Sequence, residues 1–251
     1  MRQPSVELGH YERIDDLMKC GRRIIQDTRE FCFSMDAILL AHFPRFKKDF
    51  SILELGTGAG VIPLIIADDA AHIEAIELNP VMAELARRNV SMNALEDRIH
   101  ITEGDFREIQ AYYQRESFDM VLANPPYRPV DQGKVSRLSG RARARHEFTA
   151  TLDDVVKAAR YALRFHGTFV MVHLPERLGE IIVSMHEHRL EPKRLRMVQS
   201  QKGKAPKIML IEAVAGATPG GLKVMPPLIV REEDGSYTKE ILEIYGMQSA
   251  N

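Results

Sequence analysis

The stretch SILELGTGAGVIPLIIA, residues 51–67, joins a short apolar run to a helical one through glycines at positions 56, 58 and 60. A run of five residues stopped by glycine reads as a buried strand. Behind it, VIPLIIADDA carries apolar residues at three- and four-residue spacing, as an amphipathic helix does. The same alternation continues along the chain. HIEAIEL, RIHITEG, FDMVLA and GTFVMVHL are further apolar runs, and NPVMAELARRNVSMNAL, LDDVVKAARYALRF and PERLGEIIVSMHEHRL are amphipathic stretches. This predicts an α/β fold with a mainly parallel sheet covered by helices on both faces.

The last third departs from that rhythm. RLRMVQSQ and PKIMLIEAVAG are separated only by a short Gly/Lys/Pro segment, which predicts an antiparallel pair and about seven strands in all. PPLIVREEDGSYTKEILEIYG predicts an added strand, a DGS turn and a terminal helix. Ahead of the sheet, RRIIQDTREFCF predicts a small hairpin, and SMDAILLAHF a helix with Ser34 as its N-cap. Residues 1–48 are therefore expected to be an N-terminal extension packing on the site, and residues 49–251 the main domain.

Composition narrows the partners. With 251 residues and 45% hydrophobic content the chain can build a substantial core. Its 34 basic and 35 acidic residues give no global attraction to nucleic acid or membrane, so any polyanion site must be local. Two cysteines, Cys20 and Cys32, are too few for a zinc site and fit a reducing cytosol. The N-terminus is too charged for a secretory signal, and no run approaches the roughly 18 apolar residues of a membrane span. A cytoplasmic protein without membrane or metal partner, and monomeric, is the expectation.

Three acceptors converge on the glycine turn. Glycines there let the backbone bend tightly and approach a ligand, and the helix opening near Val61 adds N–H donors. The spacing is G-x-G-x-G with Glu54 two residues ahead, which disfavours the pyrophosphate site of the G-x-G-x-x-G motif. Glu77 ends the second run, where a carboxylate accepts both hydroxyls of a ribose, and Asp105 ends the third, where it accepts from an adenine amino group. A glycine turn alone is also what a plain strand end looks like. Together with acceptors at successive strand ends it points to a nucleoside-bearing cofactor.

The fourth run, FDMVLA, ends on Asn124, Pro125, Pro126 and Tyr127. Prolines stop a strand and hold it rigid, but they do not account for the amide before them or the aromatic after them. An E-x-G-x-G-x-G turn followed by N-P-P-Y resembles the S-adenosylmethionine-dependent amino methyltransferases. The chemistry suits a nitrogen whose lone pair is delocalised: the Asn124 side-chain oxygen and the Pro125 carbonyl accept its two N–H bonds, and Tyr127 stacks on the planar group.

That motif is shared by enzymes acting on adenine in DNA, adenine in RNA and glutamine in release factors. After it, Arg128, Lys134, Arg137, Arg141, Arg143 and Arg145 form a basic, Gly/Ser-punctuated loop, and Lys202, Lys204 and Lys207 lie in the later connection. Beside a reaction centre such residues grip phosphates; elsewhere they are a solvated loop. No further block of about 100 residues is left for a DNA-recognition domain. Structured RNA is the favoured substrate.

Over nearly its whole length the chain resembles the bacterial tRNA1(Val) adenine-N6 methyltransferases, through IIQDTREFCFSMDAILLAHF, ELGTGAGVIPL, LANPPY, ARHE, LRMVQSQKGKAPKIMLIEA, PPLIV and YTKEILEIYG. The resemblance implies a Rossmann-like class I methyltransferase with a seven-stranded sheet, its last strand antiparallel, acting on adenosine 37 beside the anticodon. It implies that Phe33, Ser34 and Asp36 lie by the methionine end of the cofactor, and that Glu54, Gly56, Gly58, Gly60, Glu77, Asp105 and Phe106 hold the rest. Asn124, Pro125, Pro126 and Tyr127 would carry catalysis. Two alternatives stand beside it: a glutamine N5-methyltransferase of the release-factor type, and a non-catalytic RNA-binding protein on the same fold. His186 and His188, two apart on a helix, point to different faces and are read as a solvated stretch rather than a metal pair.

Overall fold

The structure is a computed structural model that describes residues 7–17, 21–30, 32–126 and 150–247. A hairpin of β1 (Glu12–Asp16) and β2 (Arg23–Asp27) leads into helix α1 (Met35–His42). Then follow β3 (Ser51–Leu55), α2 (Val61–Ile66), β4 (His72–Glu77), α3 (Pro80–Met92) and β5 (Ile99–Glu103). A 3-10 turn at Phe106–Ala111 precedes β6 (Phe118–Ala123). Beyond it come α4 (Leu152–Ala162), β7 (Leu163–His173), α5 (Leu178–Glu187), and the pair β8 (Leu190–Gln201) and β9 (Pro206–Ala215). Two short strands, β10 (Lys223–Val224) and β11 (Leu228–Arg231), and helix α6 (Lys239–Tyr245) complete the described chain.

The main sheet runs β10-β8-β9-β7-β6-β3-β4-β5, with β11 also paired to β8. Strands β3 to β9 are the seven expected, and β9 alone is antiparallel to both neighbours. β10 and β11 extend this set by pairing in parallel along β8, so that its long outer edge is not left open. Both faces are buried: Met120 and Leu122 of β6 enter one core with Ile52 and Ile62, while Val121 and Ala123 enter the other with Leu53 and Phe169. Doubly covered parallel strands need that continuous apolar character. Thr151 opens α4 with a capping box to Asp154, which fixes where the chain re-enters the fold.

One expectation is corrected. RRIIQDTREFCF does not fold back on itself; RIIQD is a single strand whose partner is the upstream ERIDD, with Ile14 opposite Ile25. The cause is tertiary. Asn89 of α3, fully buried, accepts from the Ile25 N–H at 2.6 Å and donates to the Ile25 carbonyl at 3.0 Å, occupying the edge of β2 that a downstream strand would need. Ile25 itself packs on Met82, Leu85 and Met92. Ser34 does stand at the N-cap of α1 with extended backbone, but its side chain makes no capping hydrogen bond.

Candidate active site

Register brings the expected site residues together. Leu55 of β3 pairs with Ile76 of β4 on one side and with Ala123 of β6 on the other. The next residues, Gly56, Glu77 and Asn124, therefore stand side by side where the three strands end. This is where strand order reverses, β3 continuing to β4 on one side and to β6 on the other, and open α/β sheets form ligand crevices there. A cleft of about 480 Å³ occupies the position, lined by Phe33, Glu54, Gly56, Gly58, Glu77 and Asn124 among others. That volume suits a nucleoside-sized ligand.

The glycine turn is built around left-handed backbone. Gly56 and Gly58 have φ of 72° and 58°, and a Cβ on Gly56 would meet nothing within 4 Å, because that side faces the cleft. Gly60 has φ of 82°, and a Cβ there would lie 3.3 Å from the Ala86 Cβ, so it is required for α2 to pack on α3. Gly56 N–H bonds the Ile76 carbonyl at 2.9 Å, tying the turn to β4.

Two carboxylates face the cleft and are held differently. Glu77 accepts the Gly58 N–H at 2.7 Å through one oxygen and the Asn79 N–H at 2.9 Å through the other, leaving a lone pair on each for a ligand. Glu54 is 2% exposed and accepts from the Thr57 hydroxyl. Burial, with the nearby charge of Glu77, pushes its carboxyl up to about 8, so it is largely protonated at neutral pH.

The opposite wall comes from the N-terminal segment. Phe33 is fastened by its N–H to the Gln26 side chain at 2.9 Å. Arg29 and Glu30 line the rim. Arg29 binds both oxygens of Asp27, at 3.0 and 2.6 Å, and lies 4.4 Å over the Tyr11 ring. That guanidinium holds the Asp27 carboxyl well below the ordinary range, at about 2. Arg29, Glu30, Thr57, Asn79 and Met82 were not singled out from sequence. Only Asn79 carried a signal, the Asn-Pro pair that caps α3 through Val81 N–H at 3.0 Å.

Other expected residues lie elsewhere. Asp105, read as a cleft acceptor, is not among the lining residues; its carboxylate caps the turn at Arg107 N–H and pairs with the Arg107 guanidinium, which lowers its pKa. Phe106 packs half-buried against the core beside that turn. Ser34 lines a second cavity of about 520 Å³ between α1 and α6, and Asp36 sits in the first turn of α1. Pro125 is half-buried and Pro126 exposed. Tyr127, Arg128, Lys134, Arg137, Arg141, Arg143 and Arg145 fall outside the described residues. Lys202, Lys204 and Lys207 are exposed on the β8–β9 hairpin. Since β8 runs parallel to β11 and antiparallel to β9, which is itself antiparallel to β7, this hairpin emerges at the same end of the sheet as Asn124. His186 and His188 do separate, bonding Glu191 at 3.1 Å and Asp153 at 2.8 Å. Among the described residues no helix is long and apolar enough to cross a membrane.

Residues 34–183 match the family model described as Methyltransferase small domain. A tRNA1(Val) (adenine(37)-N6)-methyltransferase of Aliivibrio fischeri is 30% identical over 200 residues, covering 78% of this chain and 79% of its own. One of the same name from Shewanella loihica is 27% identical, covering 84% and 89%. In fold, the chain is similar to a solved structure titled a predicted O-methyltransferase from Agrobacterium tumefaciens, with 24% identity, a TM-score of 0.69, and 86% and 98% coverage. The chain is thus an enzyme that belongs to the methyltransferase small-domain family, and it is similar to relatives named tRNA1(Val) (adenine(37)-N6)-methyltransferases.

Proposed function

We propose that the protein methylates the N6 amino group of an adenosine in tRNA, adenosine 37 of tRNA1(Val), using S-adenosylmethionine bound in the cleft between β3, β4 and β6. The observation that carries the reading is the adjacency of Asn124 to Gly56 and Glu77 in one cleft. The cofactor supplies an already activated methyl group, so the protein's work is positioning. Glu77, with a free lone pair on each oxygen, takes the ribose hydroxyls. The open space at Gly56 admits the ligand close to backbone, and Phe33 of the N-terminal extension closes over its methionine end.

The Asn124 side-chain oxygen and the Pro125 carbonyl accept the two N–H bonds of the target amine, drawing its nitrogen toward a pyramidal and more nucleophilic geometry. Pro126 stiffens that backbone, and Tyr127 stacks on the extruded base. The arginine-rich segment after Tyr127 and the Lys202–Lys207 hairpin grip tRNA phosphates. Incubation with methyl-labelled cofactor and tRNA1(Val) should label the wild-type transcript and leave one with guanosine at position 37 unlabelled. Labelling of a release factor in place of tRNA would overturn the assignment in favour of glutamine N5 chemistry.

A further inference from the structure

Away from the cleft, near the opposite end of β4 and β5, His72, Glu74 and His100 gather on one face of the sheet. His72 and Glu74 are two apart on β4 and so share a face, and Glu74 is directly opposite His100 in the parallel register. Their donor atoms all lie within 4.8 Å of one another. His72 Nε2 is 2.6 Å from Glu74 Oε1, and the two imidazole rings are 4.9 Å apart at 43°. We propose that His72, Glu74 and His100 form a binding site for a divalent transition cation of the zinc class, a site that plays no part in the methyl transfer proposed above.

Two imidazoles and one carboxylate are a zinc-type donor set; magnesium and calcium prefer oxygen alone. A tetrahedral ion with ligands at about 2.0–2.1 Å needs donor pairs about 3.4 Å apart, so side-chain rotation of roughly 1 Å closes the set while the two strands stay fixed. His72 and Glu74 are half-buried and His100 is exposed, which leaves an open corner for water. A second observation points to the same spot. The Tyr113 hydroxyl is buried beside the site with Thr102 and Glu74 as its polar neighbours, but it makes no hydrogen bond of good geometry with either. A metal-bound water would give that hydroxyl a well-aligned partner. Glu74 is three residues before Glu77, about 10 Å along the strand, so the ion stands apart from the cleft.

The test is calorimetric titration of zinc chloride into the full-length protein after chelator treatment and desalting. Saturable binding of one ion per chain is expected, weakened at least tenfold by His100→Ala and by Glu74→Gln, with magnesium giving no saturable binding. His100 is exposed, so its variant should keep the wild-type circular dichroism spectrum. The double variant His186→Ala/His188→Ala should bind as wild type does, since those histidines serve separate carboxylates. No saturable zinc binding overturns the proposal, as does equal affinity in the His100→Ala protein or loss of binding in the His186/His188 variant.

Discussion

On the antiparallel side of the sheet the acids meet guanidinium groups: Glu212 of β9 takes Arg194 at 2.7 Å, and Glu240 of α6 takes Arg196 at 2.6 Å. Around the glycine turn Glu54 meets the Thr57 hydroxyl and Glu77 meets two backbone N–H groups, and among the described residues neither makes an ion pair. The first arrangement neutralises charge within the fold. The second leaves acceptor capacity on both acids and the negative charge of Glu77 facing an open cleft, an arrangement that suits a cationic ligand. On the function proposed above, the contrast separates a half of the sheet that serves stability from a half that serves binding, and it can be attacked from both sides.

The largest effect should come from the binding half. Asn124→Ala removes one of two acceptors for the target amine, and by analogy with removal of one stabilising group in a preorganised site it should lower methyl transfer at least about a hundredfold. Cofactor affinity, measured by calorimetry, should change little. A variant with near-normal turnover would show that Asn124 lines the cleft only as a turn residue. On the other half, Arg194→Met should do the reverse. Glu212 would lose its partner, and Phe43 would lose both the guanidinium 4.5 Å over its ring and the hydrogen bond to its carbonyl. Both side chains are under a fifth exposed, so urea denaturation should show a loss of about 2 kcal/mol. Activity per folded molecule should hold. Lost activity at unchanged stability would erase the division between the halves.

Much of this division was legible before any coordinates, because it depends on local pattern. SILEL and FDMVLA are β3 and β6 residue for residue, and the glycines and Glu77 fall where their spacing placed them. What sequence could not convey was pairing between distant segments. ERIDD alternates too weakly to announce itself as the partner of RIIQD, and the decisive contact, Asn89 with Ile25, spans 64 positions. Arg29 and Met82 reach the cleft the same way, from the N-terminal segment and α3. Asp105 stands at the strand end where its spacing placed it, and what the spacing did not convey is the pairing of its carboxylate with Arg107 two residues on.

The protonation of Glu54 offers a subtler test. Its folded pKa is raised from 4.5 to about 8, so the folded protein keeps a proton that the unfolded chain gives up above pH 4.5. The group's contribution to stability is therefore full below 4.5 and is lost as pH rises toward 8. A bound sulfonium favours the carboxylate, and binding below pH 8 must expel that proton. Cofactor affinity should rise with pH between about 6 and 8, by up to tenfold per unit, and then level off. Glu54→Gln should flatten the profile. A wild-type profile that is already flat would mean that Glu54 is ionised before the ligand arrives.

The smallest effect is expected from the one feature of the stability half that reaches toward the substrate. The β8–β9 hairpin carries Lys202, Lys204 and Lys207 at the same end of the sheet as Asn124, but β6 and β8 are separated by β7 and β9. Three inter-strand steps put the hairpin about 14 Å to the side of the crevice, within the breadth of a tRNA arm and well beyond any contact with the cofactor. Each lysine that neutralises a phosphate adds close to one unit to the salt dependence of binding. Replacing all three with alanine should raise the KM for tRNA severalfold at moderate salt and flatten the plot of log affinity against log salt. The affinity for S-adenosylmethionine and the kcat should stay as they were. An unchanged salt slope would confine RNA binding to the half of the sheet that holds the cleft, and the hairpin would then be a solvated turn whose Gly203, with φ of 77°, serves only to reverse the chain.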